Sequence, residues 1–562
     1  MSKIRPLILL ALLICSQYTI HAQRLYLECF GTNTNESAII DSLDYKKTFK
    51  TYNALENEVL KLKHQLVLKG FIETKQLELT KQNDSSYHAY FSLKNKYKFI
   101  ELKNTSILDK QLLQQTGFLT DQNTLKIPIH KVELTLEYIN NILANQGDPF
   151  TSLKIDTITK KDNTTLTGNL IVSKSKIRTI DNIILKGYEK FPRSYIKRYL
   201  KIKRNTPFSL DNIKEKSKAL NNLVFANQIR EPEILFTKDS TILYMYLEKT
   251  KSNTFDGFLG FGTNESNNRI EFDGYLNLNL TNNLNYGESL KLLYRSDEND
   301  QQTFDLELNA PYLFKTPLGL NLNLTIFKRD TSFATVTQDI KLNYQINSNQ
   351  SLSGGITSTN STDLRDTPSV LIQDYTSNQF TVNYQYKQLQ TFNQLFPLRF
   401  SLNLSAGIGS RRYANIQDKQ TQIYINTFNI FNLNQKNSIF TRLTGTYLIS
   451  NSYLENELPR FGGINSIRGF EENSLIGNLY AVANTEYRYT INKNLYIHSV
   501  IDAAYFENQI TNQKEKLFGI GFGFGLITKA GLFKFNYTSG KRENSTFKLS
   551  DSKIHLSLTT QF

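Results

Sequence analysis

The chain has 562 residues, a formal charge of +15, two cysteines and a mean hydropathy of −0.40, which is room for several domains and too polar for a bundle of membrane helices. The basic residues are dispersed rather than clustered, so no nucleic-acid partner is expected. The six histidines are scattered and no CxxC pair occurs, so neither a metal site nor a cofactor is expected.

Lys3 and Arg5 precede an apolar run from Pro6 to Cys15, and Ile20-His21-Ala22 follows. This reads as a signal peptide over residues 1–22, since the run falls short of the roughly 20 apolar residues of a spanning helix. Cys15 leaves with it. Cys29 then stands alone and no intramolecular disulfide is possible.

Up to about residue 250 the chain mixes helical and strand patterns, in three copies of a β-α-α-β-β unit of about 75 residues. In the first, Leu25–Cys29 opens, and Leu55, Val59, Leu62 and Leu66 make one helix face ended by Gly70. Ile72–Thr80 and Tyr87–Leu93 form its hairpin. In the second, strand Lys98–Leu102 leads to a short helix, Lys110–Thr116. Val132, Leu136, Ile139 and Leu143 then share a helix face before Gly147, and the hairpin is Leu153–Thr159 with Leu166–Ser173.

In the third copy, Ile177–Gly187 reads as a strand and a short helix follows Pro192. Ser209 suits the N-cap of a helix carrying Ile213, Leu220, Leu223 and Val224. Strands Glu231–Phe236 and Ile242–Glu248 flank the turn Lys238-Asp239-Ser240. One irregular α+β domain is the plainer alternative, and the recurring helix–Gly–hairpin order favours repeats.

From Thr254 onward the texture changes to alternation. Phe304, Leu306 and Leu308 interleave with Asp305, Glu307 and Asn309. Leu318, Leu320, Leu322, Leu324 and Ile326 form an apolar row, and Phe518, Ile520, Phe522 and Phe524 alternate with glycines. Period two places one row on lipid and the other in a lumen. About sixteen such segments are expected, the even number of a bacterial barrel. Their starts lie near 254, 269, 286, 302, 318, 333, 350, 376, 398, 421, 437, 479, 494, 516, 531 and 553. The last runs Ile554-His-Leu556-Ser-Leu558-Thr-Thr560-Gln-Phe562. A secreted sandwich would have to hide more apolar rows than one core holds.

Residues 461–470 read Phe-Gly-Gly-Ile-Asn-Ser-Ile-Arg-Gly-Phe, between the eleventh and twelfth segments. Ile467-Arg468-Gly469-Phe470 is similar to the (V/I)RG(F/Y) signature of the BamA/TamA-type outer-membrane assembly superfamily, the bacterial surface antigen family. Modules and barrel together make the chain resemble that family over nearly all of its mature length. The resemblance implies POTRA-like modules at 23–97, 98–175 and 176–251 and an outer-membrane β-barrel at 252–562. Three modules rather than five look more like the TamA branch.

The resemblance also implies that Arg468 points into the lumen and pairs with acidic residues on following strands, where Glu486 and Asp502 are suitably placed. The same pairing follows from the cost of an unpaired guanidinium in a partly dewatered bore. Gly462, Gly463 and Gly469 would permit the bends, and Phe470 would pack on the barrel wall.

The function implied is that of a non-enzymatic insertase or translocation pore. A first strand weakened by Gly257, Gly260 and Gly262 would meet a last strand ending at Phe562, and the loosened edge would pair with incoming strands by β-augmentation. The expected partners are outer-membrane lipid, unfolded outer-membrane or exported proteins, and periplasmic or inner-membrane accessory proteins. A two-partner-secretion exporter and a passive outer-membrane channel are the alternatives. An enzyme is disfavoured, because His498 and His555 have no Ser/acid constellation and no Gly-x-Ser-x-Gly occurs.

Overall fold

The computed structural model describes residues 24–121, 123–264, 269–296, 301–367, 369–390, 393, 395–528, 531–546 and 552–561. The expected signal peptide, 1–22, and the terminal Phe562 lie outside the described residues. Two compact units divide the chain. One runs to Thr179 and takes in Pro207–Leu210, and the other comprises Ile180–Thr206 and everything from Asp211.

The first unit holds two sheets. Strands β1 (Leu25–Gly31), β2 (Thr48–Phe49), β3 (Lys75–Lys81) and β4 (Ser86–Ser92) lie in the order β2-β1-β4-β3, with helices α1 (Thr34–Asp41) and α2 (Tyr52–Leu68). Thr51 caps α2 by accepting from the Ala54 amide. Leu55, Val59, Leu62 and Leu66 are buried against Leu27, Cys29, Ala89 and Phe91 of the sheet. The 3.6-residue period of α2 thus becomes the module's core.

The second sheet contains β5 (Phe99–Lys103), β6 (Leu119–Asp121), β7 (Thr124–Pro128), β8 (Ser152–Lys160) and β9 (Thr165–Ser173), in the order β6-β7-β5-β9-β8. Helices α3 (Lys110–Gln115) and α4 (Val132–Asn145) complete it. Helix α1 and the β6–β7 pair have no counterpart in the sequence reading. Helix α1 is eight residues held by an Asn33 cap, and β6 has only three residues, too short for a period to show.

The second unit opens with β10 (Asn182–Gly187), α5 (Arg193–Arg198), α6 (Leu210–Lys218), β11 (Ala226–Phe236) and β12 (Thr241–Lys249), in the sheet order β10-β12-β11. The strand expected from Ile177 begins only at Asn182. Just before it, Asp181 turns its carboxylate to the Thr241 amide at 2.7 Å. Helix α6 gives way to a 3-10 turn over Ala219–Asn222, where two asparagines disfavour the helix, so Leu223 is extended and Val224 is exposed. One edge strand of each sheet, β3, β8 and β11, carries register shifts, between Gln76 and Glu78, Asp156 and Thr159, and at two places between Gln228 and Glu233.

Sixteen antiparallel strands then close into a barrel. They are β13 (Thr254–Asn264), β14 (Arg269–Thr281), β15 (Ser289–Ser296), β16 (Gln301–Ala310), β17 (Leu318–Arg329), β18 (Phe333–Gln345), β19 (Gln350–Asp363), β20 (Tyr375–Leu389), β21 (Leu398–Tyr413), β22 (Ile416–Asn432) and β23 (Asn437–Ser450). A short hairpin, β24 (Arg460–Phe461) and β25 (Leu475–Ile476), lies in the connection that follows. The barrel continues with β26 (Leu479–Asn492), β27 (Leu495–Asn508), β28 (Gln513–Ile527), β29 (Leu532–Arg542) and β30 (Lys553–Gln561). Along β26, Tyr480, Val482, Asn484, Glu486 and Arg488 are buried inward, while Tyr487 and Tyr489 are exposed outward, the alternation of a lipid-embedded wall.

Helix α5 seats on the short turns at the barrel end nearest the third sheet. Tyr195 Oη donates to the Gly287 carbonyl at 3.1 Å, and its ring meets Tyr312 edge-on at 5.0 Å. Arg198 and Lys201 donate to the carbonyls of Lys315 and Ile346. Burial pushes the Tyr195 phenol well above its ordinary value, so it stays a neutral donor. Gly287 has φ +80°, and a Cβ there would fall 2.2 Å from the Tyr195 ring, so this turn needs glycine.

Cys29 is buried under α2, and burial raises its thiol to about 12. A maleimide reagent is therefore expected to leave Cys29 unmodified in the folded protein and to label it fully in denaturant. Rapid labelling of the native protein would show that the first sheet does not cover it.

Candidate functional site

The connection between β23 and β26 enters from the barrel end opposite α5 and folds back into the bore. Its root is fastened to the wall. Arg411 of β21, with no exposed surface, donates to Glu457, to Asp418 Oδ2 at 2.7 Å and to Ser452 Oγ at 2.6 Å, and its guanidinium lies 4.4 Å from the Tyr413 ring centre. Arg329 of β17 pairs with Glu455 at 2.8 Å, and Asn456 donates to Ser361 Oγ of β19.

Beyond β24 the chain bends at Gly462 and Gly463, with φ of +112° and +90°. The motif then reaches the wall formed by β26 to β29. Ile467 is fully buried among Phe461, Leu475, Tyr480, Val482, Ala504, Phe506 and Leu517, and Phe470 packs on the same cluster.

Arg468 makes four bonds to two carboxylates. Its backbone amide donates to Asp502 Oδ2 at 3.0 Å, Nε to the same oxygen at 2.8 Å, Nη2 to Asp502 Oδ1 at 2.6 Å and Nη1 to Glu486 Oε1 at 2.5 Å. The fork-on-carboxylate contact with Asp502 fixes the guanidinium plane as well as its position. Arg488 takes the other side of Glu486, with Nε 2.8 Å from Oε2, so one carboxylate serves two arginines.

The wall under the motif is a single cross-strand row. Asn484 pairs with Asp502, Asp502 with Gly519 and Gly519 with Gly540. Asn484 donates to the Ser466 carbonyl at 2.8 Å. A Cβ on Gly519 would lie 2.4 Å from the Arg468 carbonyl oxygen, and one on Gly540 would lie 2.4 Å from that of Gly469. The row thus supplies one amide, one carboxylate and two gaps, in the order in which Ser466, Arg468 and Gly469 pass over it. Gly469 itself sits at φ +90° with its Cα against Gly540.

Past the motif, Glu471 pairs with Lys553 of β30 at 2.9 Å and Glu472 pairs with Arg295 of β15 at 2.6 Å. These strands stand on opposite sides of the junction where β13 meets β30. Among the described residues that junction has two rungs, Thr254 with Gln561 and Phe255 with Thr560, whereas β13 and β14 pair at every position from Thr254 to Asn264. Gly257 follows these rungs with φ +152°, and Gly260 and Gly262 lie further along β13 opposite Asp273 and Glu271. A polar cavity of about 580 Å³ backs the junction, lined among others by Asp256, Arg295, Arg468, Lys534 and His555.

The structure brings Arg468, Glu486 and Asp502 together and sets Ile467 and Phe470 in the adjoining apolar cluster. The sequence assigns no site role to Asn484, Arg488, Gly519, Gly540, Arg411 or Glu457. Those on strands carry only an inward phase, which many structural residues share, and Glu457 lies in a 3-10 turn with no phase at all.

A closed sixteen-strand barrel with an inserted loop, preceded by small α/β modules, defines an outer-membrane protein with its modules in the periplasm. The sequence matches the Omp85 superfamily domain over residues 274–562 and the POTRA, or surface antigen variable number repeat, over residues 178–254. The chain belongs to the Omp85 superfamily. No curated protein sequence matches it. Among solved structures it is similar in fold to BamA from Haemophilus ducreyi lacking POTRA domains 1–3, at 16% identity and TM-score 0.50, covering 83% of this chain and 100% of that one. It is also similar to CdiB from Escherichia coli, at 12% identity and TM-score 0.53, covering 91% and 98%, and to CdiB from Acinetobacter baumannii, at 14% and 0.51, covering 91% and 97%. The protein acts in the outer membrane, in protein insertion or transport in the broad sense.

Removing one member of a buried ion pair costs about 3–5 kcal/mol, because the partner charge stays behind. Arg468→Ala is expected to release the loop to external protease while the barrel keeps its heat-modifiable gel migration. Gly540→Val is expected to do the same without touching a charge, through the Gly469 carbonyl and the Phe470 ring. A protected loop in both variants would show that neither contact holds it.

Proposed function

We propose that the protein inserts outer-membrane proteins by opening the junction between β13 and β30. The observation that carries this reading is the two-rung pairing there, in a barrel whose other strand pairs run, among the described residues, for seven positions or more. Parted edges present unpaired N–H and C=O groups in lipid, where leaving them unsatisfied is costly, and an incoming strand completes them. No nucleotide or cofactor is required, and no residue acts as a catalyst. Gly257, Gly260, Gly262 and the terminal Phe562 belong to the weak edge pair in this reading.

The loop motif Gly462, Gly463, Ile467, Arg468, Gly469 and Phe470, docked on Glu486 and Asp502, holds the wall of β26 to β29 in shape while the edge beside it moves. Residues 23–97, 98–175 and 176–251 serve as periplasmic modules that receive unfolded outer-membrane or exported proteins, and 252–562 as the barrel. Periplasmic or inner-membrane accessory proteins deliver those substrates. Export of a single partner protein is the alternative reading. Depletion followed by a census of the outer-membrane proteome separates the two: broad loss of barrel proteins supports insertion, and loss of one exported protein supports export.

Thr254 and Gln561 face each other across the junction, and the inert Cys29 leaves room for a clean tether. The double variant Thr254→Cys, Gln561→Cys is expected to lose substrate insertion by roughly tenfold or more when oxidised and to regain it with reductant. Full activity in the locked form would rule out opening at this seam.

A further inference from the structure

Leu395 and Phe396 lie between β20 and β21, at the barrel end where α5 seats, which is the periplasmic end. Large apolar residues in such a connection ought to face water, yet each is only 8% exposed. They point into the bore and pack on Ile430, Phe440, Tyr496 and Ile527. The Phe396 ring meets Tyr496 edge-on at 4.8 Å. The backbone is clamped in this position. Gln390 donates its amide to the Pro397 carbonyl at 2.8 Å and its side chain to the Phe396 carbonyl at 2.6 Å, while Asn432 holds the Gln390 side chain at 2.8 Å.

The same ring touches the site above it. The Arg488 guanidinium lies 4.5 Å from the Phe396 centre and 4.1 Å from that of Phe440. Its N–H edge is committed to Glu486 Oε2, and Glu486 Oε1 receives Arg468. A continuous chain therefore runs from the periplasmic mouth through Phe396, Arg488 and Glu486 to Arg468. Each link touches the next. Without the ring, the guanidinium exchanges a cation–π face for water, and its hold on Glu486 competes with hydration.

We propose that Leu395 and Phe396 are a stopper in the periplasmic mouth of the lumen, and that Arg488 is the positioning residue that couples the stopper to the Arg468 loop. A segment entering from the periplasm displaces Phe396 first, and the loop receives that event through Glu486. This goes beyond the insertion reading and holds whatever the cargo. Its test reads conductance and loop protection, not assembly, so failure here leaves the seam reading standing and the reverse.

The experiment uses the full chain in planar bilayers, with heat-modifiable migration as the check on folding. Phe396→Ala is expected to raise single-channel conductance roughly threefold or more, as removal of an apolar constriction does. It is also expected to speed protease cleavage within residues 460–478 from the outer face. Phe396→Leu keeps the bulk and loses the ring, so conductance should stay near parental while loop cleavage still speeds up about two- to fivefold. Arg488→Lys keeps the charge without the flat stacking surface and should match Phe396→Leu in loop cleavage. Parental conductance in a folded Phe396→Ala barrel overturns the stopper. Parental loop cleavage in Phe396→Leu and Arg488→Lys overturns the coupling.

Discussion

A guanidinium taken out of water has to be met on all sides, and that of Arg468 meets the demand with three bonds to two carboxylates inside the barrel, its backbone amide adding a fourth. Those bonds set the depth to which the loop descends. Depth in turn dictates what the wall contains. With Asp502 beneath the guanidinium, the carbonyls of Arg468 and Gly469 fall on the next two strands, and those positions are Gly519 and Gly540. A side chain at either would lift the arginine off its carboxylates. The motif and its receiving row are thus one feature, although more than seventy positions separate its first member from its last.

The barrel was readable because strand geometry imposes its period on the sequence directly. The sixteen segment starts inferred from alternation fall within about five residues of the strands, the largest offset being β22, which begins at Ile416 rather than 421. The clearest helix faces were readable for a similar reason, with Leu55, Val59, Leu62 and Leu66 four or three apart along α2. Short elements without a full period were not, as α1 and β6 show.

The site was legible only in part. Arg468 stood out because an arginine between glycines is unusual. Gly519 looked like half of an alternating Phe/Gly strand, which it also is. Arg411 and Glu457 are 46 positions apart and join only once β21 and the loop root are folded, so nothing local marks them. Leu395 and Phe396 read as connection residues, because the sequence does not say that a turn doubles back into a bore.

Fastening is distributed unevenly around the barrel. The loop is tied at its root to β17, β19 and β21, in its middle to β26 and β27, and near its end to β30 and β15. Of the last two ties, Lys553–Glu471 is half-exposed and weak, as surface pairs are, whereas Arg295–Glu472 is largely buried. They are also the ones that span the junction with two rungs. The loop is therefore tied to both sides of the junction that has least pairing among the described residues.

One outer strand of each N-terminal sheet, β3, β8 or β11, is kinked by a register shift. A ribbon laid along such a border can zip for only a few residues before losing step. Such a border resists edge-to-edge pairing between neighbouring copies.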